Sequence, residues 1–238
     1  MSTFRSHVWS SVGKKMITGL TGLLLVGFVA VHLLGNLTLF IPDRGHAFNA
    51  YAYFLEHAVH GWLIYAFEVG LLAVFGFHIV SAVTVAWTDK RKARPVGYAL
   101  VRNAGGKSRK GLPSTSMIVT GLTLAIFVVL HVKMFKFADH PSVVYDGKEM
   151  KDLYAVVVAA FKQPLIAGLY VAVMGMLGFH LRHGFWSAFQ SLGWNNDRAI
   201  VVLENLARVV AVLFAAGFLA LPLYILFFVD PSVSGGHR

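Results

Sequence analysis

The chain has 238 residues, of which 57% are hydrophobic and only 13% are charged. A soluble protein carries about 25% charged residues, so this composition indicates a surface that faces lipid over much of its area. The sequence contains no cysteine, which excludes disulfides, iron–sulfur ligation by this chain and thiolate chemistry. The N-terminus lacks a short apolar stretch with a small-residue cleavage site, so we expect no removable signal peptide.

Five apolar runs reach the roughly 20 residues that a helix needs to cross the hydrocarbon of a bilayer. Pro113 and Pro164 stand just before the third and fourth runs, where proline suits the first turn of a helix. No linker rich in glycine and serine divides the chain, so we predict a single domain over residues 1–238. The predicted fold is an all-α, polytopic membrane bundle of five helices. These helices cover approximately residues 16–40, 61–87, 116–137, 164–187 and 202–229.

Two links between these runs have an amphipathic character. The link at 47–60, AFNAYAYFLEHAVH, mixes aromatic residues with Glu56 and two histidines, and the link at 152–161 is apolar but too short to span. We predict that both form interfacial helices over the outer mouth of the bundle. Their tyrosines suit the aromatic belt of a membrane surface.

Basic residues in short links predict the orientation, because cytoplasmic links are rich in lysine and arginine. The link at 89–112 carries eight basic residues against the single acid Asp89, and the N-terminus and the link with Arg198 lie on the same side. We expect this side to be cytoplasmic, with the N-terminus inside and the C-terminus outside. The net charge of +10 then reflects the orientation in the membrane. We expect the basic residues to contact membrane lipid, and we expect no binding of nucleic acid.

Histidine is costly inside a membrane helix, yet four of the five apolar runs hold one in their interior. At 1.5 Å per residue, His32 lies about 24 Å from the cytoplasmic start of the first helix, and His131 lies at nearly the same depth. The second and fourth helices run inward, so His78 and His180 lie nearer the cytoplasm. The depths therefore predict an outer pair, His32 with His131, and an inner pair, His78 with His180.

Two neutral imidazoles that face each other across a bundle are a usual means of holding a low-spin haem iron. Glycines beside the histidines supply space for a flat macrocycle, although small residues also allow close helix packing. A lone histidine is more often explained by a helix–helix hydrogen bond, and a set of four can form a proton relay. Two matched layers favour two bis-histidine b haems. The glycines are Gly19, Gly22, Gly27, Gly76, Gly121, Gly175 and Gly178.

Three stretches resemble the cytochrome b558 subunit of the succinate dehydrogenase/fumarate reductase family: SSVGKKMITGLTGLLLVGFVAVHLLGNLTLF, FNAYAYFLEH and GFHLRHGFWSAFQSLGWN. The similarity runs from about Ser10 to the end of the fifth helix. In that family one histidine from each of the first four helices ligates haem, which implies this role for His32, His78, His131 and His180. The family pairs the first helix with the third and the second with the fourth, which is the pairing that the depths predict.

The resemblance also implies a reaction and partners. Succinate is oxidised on a flavoprotein subunit, and electrons pass through an iron–sulfur subunit to the haems of the anchor and on to a quinone, usually menaquinone. We therefore expect a non-catalytic subunit in a bacterial inner membrane, which binds both partners at its cytoplasmic face in a complex that can form a higher oligomer. The sequence shows no catalytic triad, phosphate loop or carboxylate pair for succinate chemistry, in keeping with a carrier role.

Several polar residues near the inner pair are weaker candidates. His183 and Arg182 follow His180 closely and suit contact with haem propionates, the quinone or the iron–sulfur subunit, with plain solvation as the alternative. Contact with propionates is also considered for Lys14, Lys15, Thr18, Ser114 and Ser116.

Glu68 is the one acid well inside an apolar run, about ten residues outward of His78. It is a candidate for proton transfer to a quinone or propionate, and a protonated carboxyl bonded to a neighbouring helix is an equal alternative. Some fumarate reductases of the resembling family carry a glutamate two residues before the fourth-helix histidine, where this chain has Gly178. Glu204 and Arg208 are expected to form a local ion pair.

Two other functions stay open at the level of the sequence. One is the cytochrome b subunit of another respiratory complex, of the hydrogenase or formate dehydrogenase type. The other is a proton-coupled transporter in which the histidines relay protons.

Overall fold

The computed structural model describes residues 8–89, 114, 116–194 and 196–230. The basic link from Lys90 to Lys110 lies outside the described residues, as do Arg5 and Pro113. Short 3-10 segments cover Leu37–Phe40 and Ala58–Gly61, and a π-helical segment covers Thr84–Asp89. The α-helices are α1 (Ser11–Asn36), α2 (His46–His57), α3 (Trp62–Val83), α4 (Met117–Phe135), α5 (Leu153–Phe161), α6 (Pro164–Ser191) and α7 (Asp197–Phe228).

Helices α1, α3, α4, α6 and α7 are long and apolar enough to cross a membrane. At most 28% of the residues in the most apolar part of any span are buried inside the protein, so most of them are at least partly exposed. Such exposure is unfavourable in water and is what a hydrocarbon environment requires. The protein is an all-α, polytopic membrane bundle, and this prediction from the sequence is confirmed.

Two spans begin before their apolar runs because a polar side chain caps each helix. The Gly13 amide donates to Ser10 Oγ over 3.1 Å at the start of α1. The Ala199 amide donates to Asn196 Oδ1 over 2.8 Å at the start of α7. Side-chain oxygens at these positions satisfy amides that have no partner within the helix, so each helix extends beyond its apolar core.

Helices α2 and α3 are separated by a sharp break. Val59, His60 and Gly61 have φ angles of 53°, 56° and 83°, all in the left-handed region. A run of three such residues cannot continue a right-handed helix. The link at 47–60 therefore forms its own helix, α2, as its amphipathic pattern predicted, and α3 begins at Trp62.

The described residues fold into two compact units, and each of the five spans contributes to both. The first unit contains the described residues of Met1–Gly27, Leu72–Leu122 and Phe179–Ala211. The second contains the described residues of Phe28–Leu71, Thr123–Gly178 and Val212–Arg238.

The second unit includes a hairpin that the sequence analysis did not predict. Strands β1 (Ser142–Tyr145) and β2 (Lys148–Lys151) pair antiparallel around Asp146 and Gly147, whose φ angles are 50° and 73°. An Asp-Gly pair with two positive φ angles is the preferred two-residue hairpin turn, because its twist matches that of the strands. The signal was therefore present in the sequence.

Helix α5 packs one side into the second unit, while Ala159 is exposed and Ala155 and Val156 are partly exposed. Its sequence, LYAVVVAAF, has no polar face, and Tyr154, Val157, Val158 and Phe161 belong to the core of this unit. Burial, with smaller effects from Tyr224 and Asp43, raises the pKa of the Tyr154 phenol. The core consists of Leu33, Leu39, Phe48, Tyr154, Val157, Val158, Phe161, Tyr170, Leu221 and Ile225.

A buried polar network joins α2 to the start of α5. Asn49 is fully buried, and its Nδ2 donates to Asp152 Oδ1 over 2.9 Å. Its Oδ1 accepts from the Tyr154 amide over 2.9 Å, while Asp152 also accepts from the Ala155 amide over 3.0 Å as the N-cap of α5. The network satisfies polar groups that would otherwise be costly to bury.

Candidate functional site

In the first unit, the His78 ring of α3 lies beside the His180 ring of α6. Their centroids are 6.5 Å apart and their planes make an angle of 68°. We call these two residues the His78–His180 pair.

Neighbouring oxygen atoms determine which nitrogen of His78 carries the proton. Nδ1 lies 3.2 Å from the Thr18 carbonyl oxygen and 3.3 Å from Thr21 Oγ1. A carbonyl oxygen only accepts, so Nδ1 must donate. The Thr21 hydroxyl donates its own proton to the Ile17 carbonyl over 2.6 Å, so it too accepts from His78. The neutral ring therefore has a free lone pair on Nε2, the form that binds a metal ion.

His180 has the same protonation for the same reason. Its Nδ1 lies 3.2 Å from Thr120 Oγ1 on α4. The Thr120 hydroxyl donates to the Ser116 carbonyl over 3.0 Å, so its oxygen accepts from the His180 ring. Within the described residues, Nε2 of neither His78 nor His180 has a hydrogen-bond partner.

Two glycines make room for these rings. A Cβ at Gly22 would lie 3.2 Å from His78 Cε1, and a Cβ at Gly121 would lie 3.3 Å from His180 Cε1. Both distances are shorter than ordinary van der Waals contact. Gly19 instead allows close helix packing, since a Cβ at this position would lie 3.1 Å from the Ala188 carbonyl oxygen of a neighbouring helix.

In the second unit, the His32 ring of α1 lies beside the His131 ring of α4. Their centroids are 5.8 Å apart and their planes are at 89°. His131 Nδ1 lies 3.1 Å from the hydroxyl of Tyr170, a buried residue of α6 whose hydroxyl also lies 3.8 Å from Met134 Sδ. We call these two residues the His32–His131 pair.

Aromatic rings pack against both histidines of this second pair. Phe28 stacks on His32 with centroids 5.5 Å apart, and Phe127 stacks on His131 with centroids 5.6 Å apart. Phe218 of α7 also lies 6.0 Å from His32. These contacts restrict the orientation of both imidazoles without using their nitrogen atoms.

The separation within each pair is the one expected of two imidazoles that would share one metal ion. A metal–imidazole bond is about 2 Å long and the nitrogen lies about 1.1 Å from the ring centre, so the centroids should be about 6 Å apart. The observed separations are 5.8 and 6.5 Å. Each site has two imidazoles, and the described residues contain no group of three or more histidine, cysteine or acidic side chains that could hold a metal ion. Two imidazoles would suit a haem, because its macrocycle supplies the remaining ligands of the iron.

The weaker candidates near the His78–His180 pair have varied surroundings. The Thr18 hydroxyl is 2.7 Å from Ser81 Oγ and 2.8 Å from the Lys14 carbonyl, while the Thr18 carbonyl faces His78. His183 contacts the Trp186 ring edge-to-face at 5.2 Å. The Lys14 residue is buried, Lys15 and Arg182 are exposed, and Ser114 and Ser116 are half-buried.

Glu68 forms an ion pair with Lys136, which directly follows α4. Both side chains are partly exposed, at 32% and 44%. The pairing describes a charged contact between neighbouring spans, and the role of Glu68 in proton transfer stays a prediction. Glu204 and Arg208 lie 3.8 Å apart as an i,i+4 pair.

Four residues around the site were not singled out from the sequence: Thr21, Thr120, Tyr170 and Lys136. Thr21 and Thr120 stand directly before glycines in two similar helices, which is a usable signal. Tyr170 and Lys136 have no such signal, because their role depends on which faces of the helices meet.

Comparison of the chain with protein-family models, with curated proteins and with solved structures gives no match.

Proposed function

We propose that this chain is a cytochrome b that holds two haems, and that it serves as the membrane anchor of a succinate:quinone oxidoreductase. The observation that carries the first statement is the geometry of the two histidine pairs, at 5.8 and 6.5 Å between ring centroids within a membrane-spanning bundle. The second statement is supported by the resemblance of three stretches to the cytochrome b558 subunit.

In this proposal, His32, His78, His131 and His180 would hold the two haems through an imidazole nitrogen, which for His78 and His180 is Nε2. The acceptors at Thr18, Thr21 and Thr120 hold Nδ1 of His78 and His180 protonated, which keeps Nε2 available and increases its basicity. Bound haem b supplies one-electron transfer at a potential that depends on the axial ligands and their hydrogen bonds.

The same hydrogen bonds argue against a proton relay. A relay histidine must bind and release protons at both nitrogens during transport. The Thr18 carbonyl can only accept, and the Thr120 hydroxyl has its proton directed to Ser116, so both favour a single tautomer. A fixed tautomer suits a metal ligand better than a relay.

The partners in the proposal are a flavoprotein subunit, an iron–sulfur subunit and a membrane quinone, with menaquinone as the expected type. Lys14, Lys15, Arg182 and His183 lie in the same unit as the His78–His180 pair. These cationic or titratable groups are suited to haem propionates or to an acidic face of the iron–sulfur subunit. The complex is located in a bacterial inner membrane.

The test is purification of the complex from native membranes through a tag on this chain. We expect a flavoprotein and an iron–sulfur protein to co-purify, with succinate-dependent reduction of a menaquinone analogue. Haem without these partners, but with hydrogenase or formate dehydrogenase subunits, would contradict the assignment to succinate chemistry. A folded chain with no b-type absorption band would contradict the cytochrome assignment itself.

A further inference from the structure

Helices α1 and α4 share a sequence pattern. Residues 21–32 read TGLLLVGFVAVH and residues 120–131 read TGLTLAIFVVLH, with seven of the twelve positions identical. Leucine and valine recur by composition alone in membrane helices, but threonine, glycine, phenylalanine and histidine in one register do not. Helices α3 and α6 also share a tripeptide, GFH, which ends in His78 and His180.

The shared residues make the same contacts in both copies. Thr21 lies 3.3 Å from His78 Nδ1, and Thr120 lies 3.2 Å from His180 Nδ1. The following glycines each face Cε1 of the same histidine, with a Cβ at 3.2 and 3.3 Å. The phenylalanines each stack on the histidine four residues later, at 5.5 and 5.6 Å.

The hydroxyl groups of Thr21 and Thr120 also donate to equivalent acceptors. Thr21 donates to the carbonyl four residues earlier on its own helix over 2.6 Å, and Thr120 does so over 3.0 Å. Each threonine oxygen is thereby left as an acceptor for a ring N–H on another helix.

We infer that α1 and α4 are two copies of one supporting element, in which Thr21 and Thr120 are positioning residues for the His78–His180 pair. The inference rests on the proposed function, because it assigns these residues to the support of haem ligands. The arrangement is crossed: the helix that contributes a histidine to one pair contributes a threonine and a glycine to the other.

The two copies differ in the number of acceptors at Nδ1 of the histidine they support, so loss of each threonine hydroxyl should have a different effect. His78 has a second acceptor, the Thr18 carbonyl at 3.2 Å. Within the described residues, Thr120 is the acceptor for Nδ1 of His180. Loss of the Thr120 hydroxyl should therefore have the larger effect.

The test is a redox titration of the purified complex that carries Thr21→Val or Thr120→Val, which keep the shape of the side chain. Loss of an acceptor makes the imidazole a weaker donor to ferric iron, so the potential should rise. We expect a roughly tenfold change in the ferric-to-ferrous preference for Thr120→Val, equivalent to about 59 mV for a one-electron couple. Thr21→Val should move the same component in the same direction by less.

Three further variants serve as controls. Tyr170→Phe should move the other component, because its hydroxyl contacts His131. Thr84→Val should move neither, since the Thr84 hydroxyl donates to the Val80 carbonyl on its own helix. Thr120→Ser should restore the original potential.

Two outcomes overturn the inference while leaving the cytochrome proposal intact. In one, the two threonine variants move different components; in the other, neither threonine variant moves any component. Absence of b-type bands from the unaltered complex would instead contradict the proposed function.

Discussion

At the scale of single residues, the glycines that face the histidines impose a steric requirement. Gly22→Ala and Gly121→Ala place a methyl group 3.2 or 3.3 Å from an imidazole carbon. Overpacking of this kind costs about 1–3 kcal/mol, and about 1.4 kcal/mol is a tenfold change in affinity. We expect each variant to weaken haem retention about tenfold, measured as haem per chain after washing in detergent.

Gly168→Ala is the matched control for this prediction, because a Cβ at Gly168 meets nothing within 4 Å. It should retain the full haem content. If Gly121→Ala retains as much haem as Gly168→Ala, the glycine does not reserve space for the His180 ring.

The sequence predicted some of these residues and not others, for a physical reason. A histidine in a 20-residue apolar run is recognisable because its burial in lipid is costly. Tyr170 is an ordinary tyrosine by sequence, and its contact with His131 depends on how α6 packs against α4. Thr21 and Thr120 are intermediate in predictability, because they stand out only when the sequences of the two helices are compared with each other.

At the scale of secondary-structure elements, the Asn49–Asp152 network joins α2 to α5. Asn49→Ala leaves the Tyr154 amide without its acceptor and removes one of the two donors to the Asp152 carboxylate, which keeps the Ala155 amide. Each unsatisfied group costs about 1–3 kcal/mol, so we expect a clear fall in Tm. Thermal unfolding of the purified protein in detergent measures it.

Gln163→Ala is the control, because the Gln163 residue is exposed. It should leave the Tm unchanged. An unchanged Tm in Asn49→Ala would show that α2 and α5 do not depend on this network.

The same elements show where patterns of hydropathy are insufficient. Hydropathy identified 152–161 as too short to span, and α5 is indeed a short helix. Its burial follows from long-range packing against α1, α6 and α7, through residues such as Leu33, Tyr170 and Ile225. The hairpin has a local signal in Asp146 and Gly147, which a search restricted to membrane helices does not detect.

At the scale of the whole molecule, the five spans were predictable because the bilayer prescribes both length and composition. The predicted orientation is simple to test, because the chain has no native cysteine. Asp146→Cys places a thiol at a side chain that is 86% exposed in the hairpin, and Arg198→Cys places one at the exposed start of α7. We expect a membrane-impermeant maleimide to label the first variant in intact cells and the second only after permeabilisation.

The reverse labelling pattern would place the N-terminus outside and contradict the positive-inside prediction. Labelling of both variants in intact cells would contradict a topology in which these two sites lie on opposite sides of the membrane.

The central claim is that two histidine pairs hold two haems, and haem stoichiometry in histidine variants tests it most directly. The unaltered complex should contain two b haems per chain, determined from its reduced-minus-oxidised spectrum and haem extraction. His78→Ala and His180→Ala should each lose the same haem, His32→Ala and His131→Ala should each lose the other, and His57→Ala, exposed on α2, should lose neither. A different pairing of the losses, or two haems retained in every variant, would contradict the account.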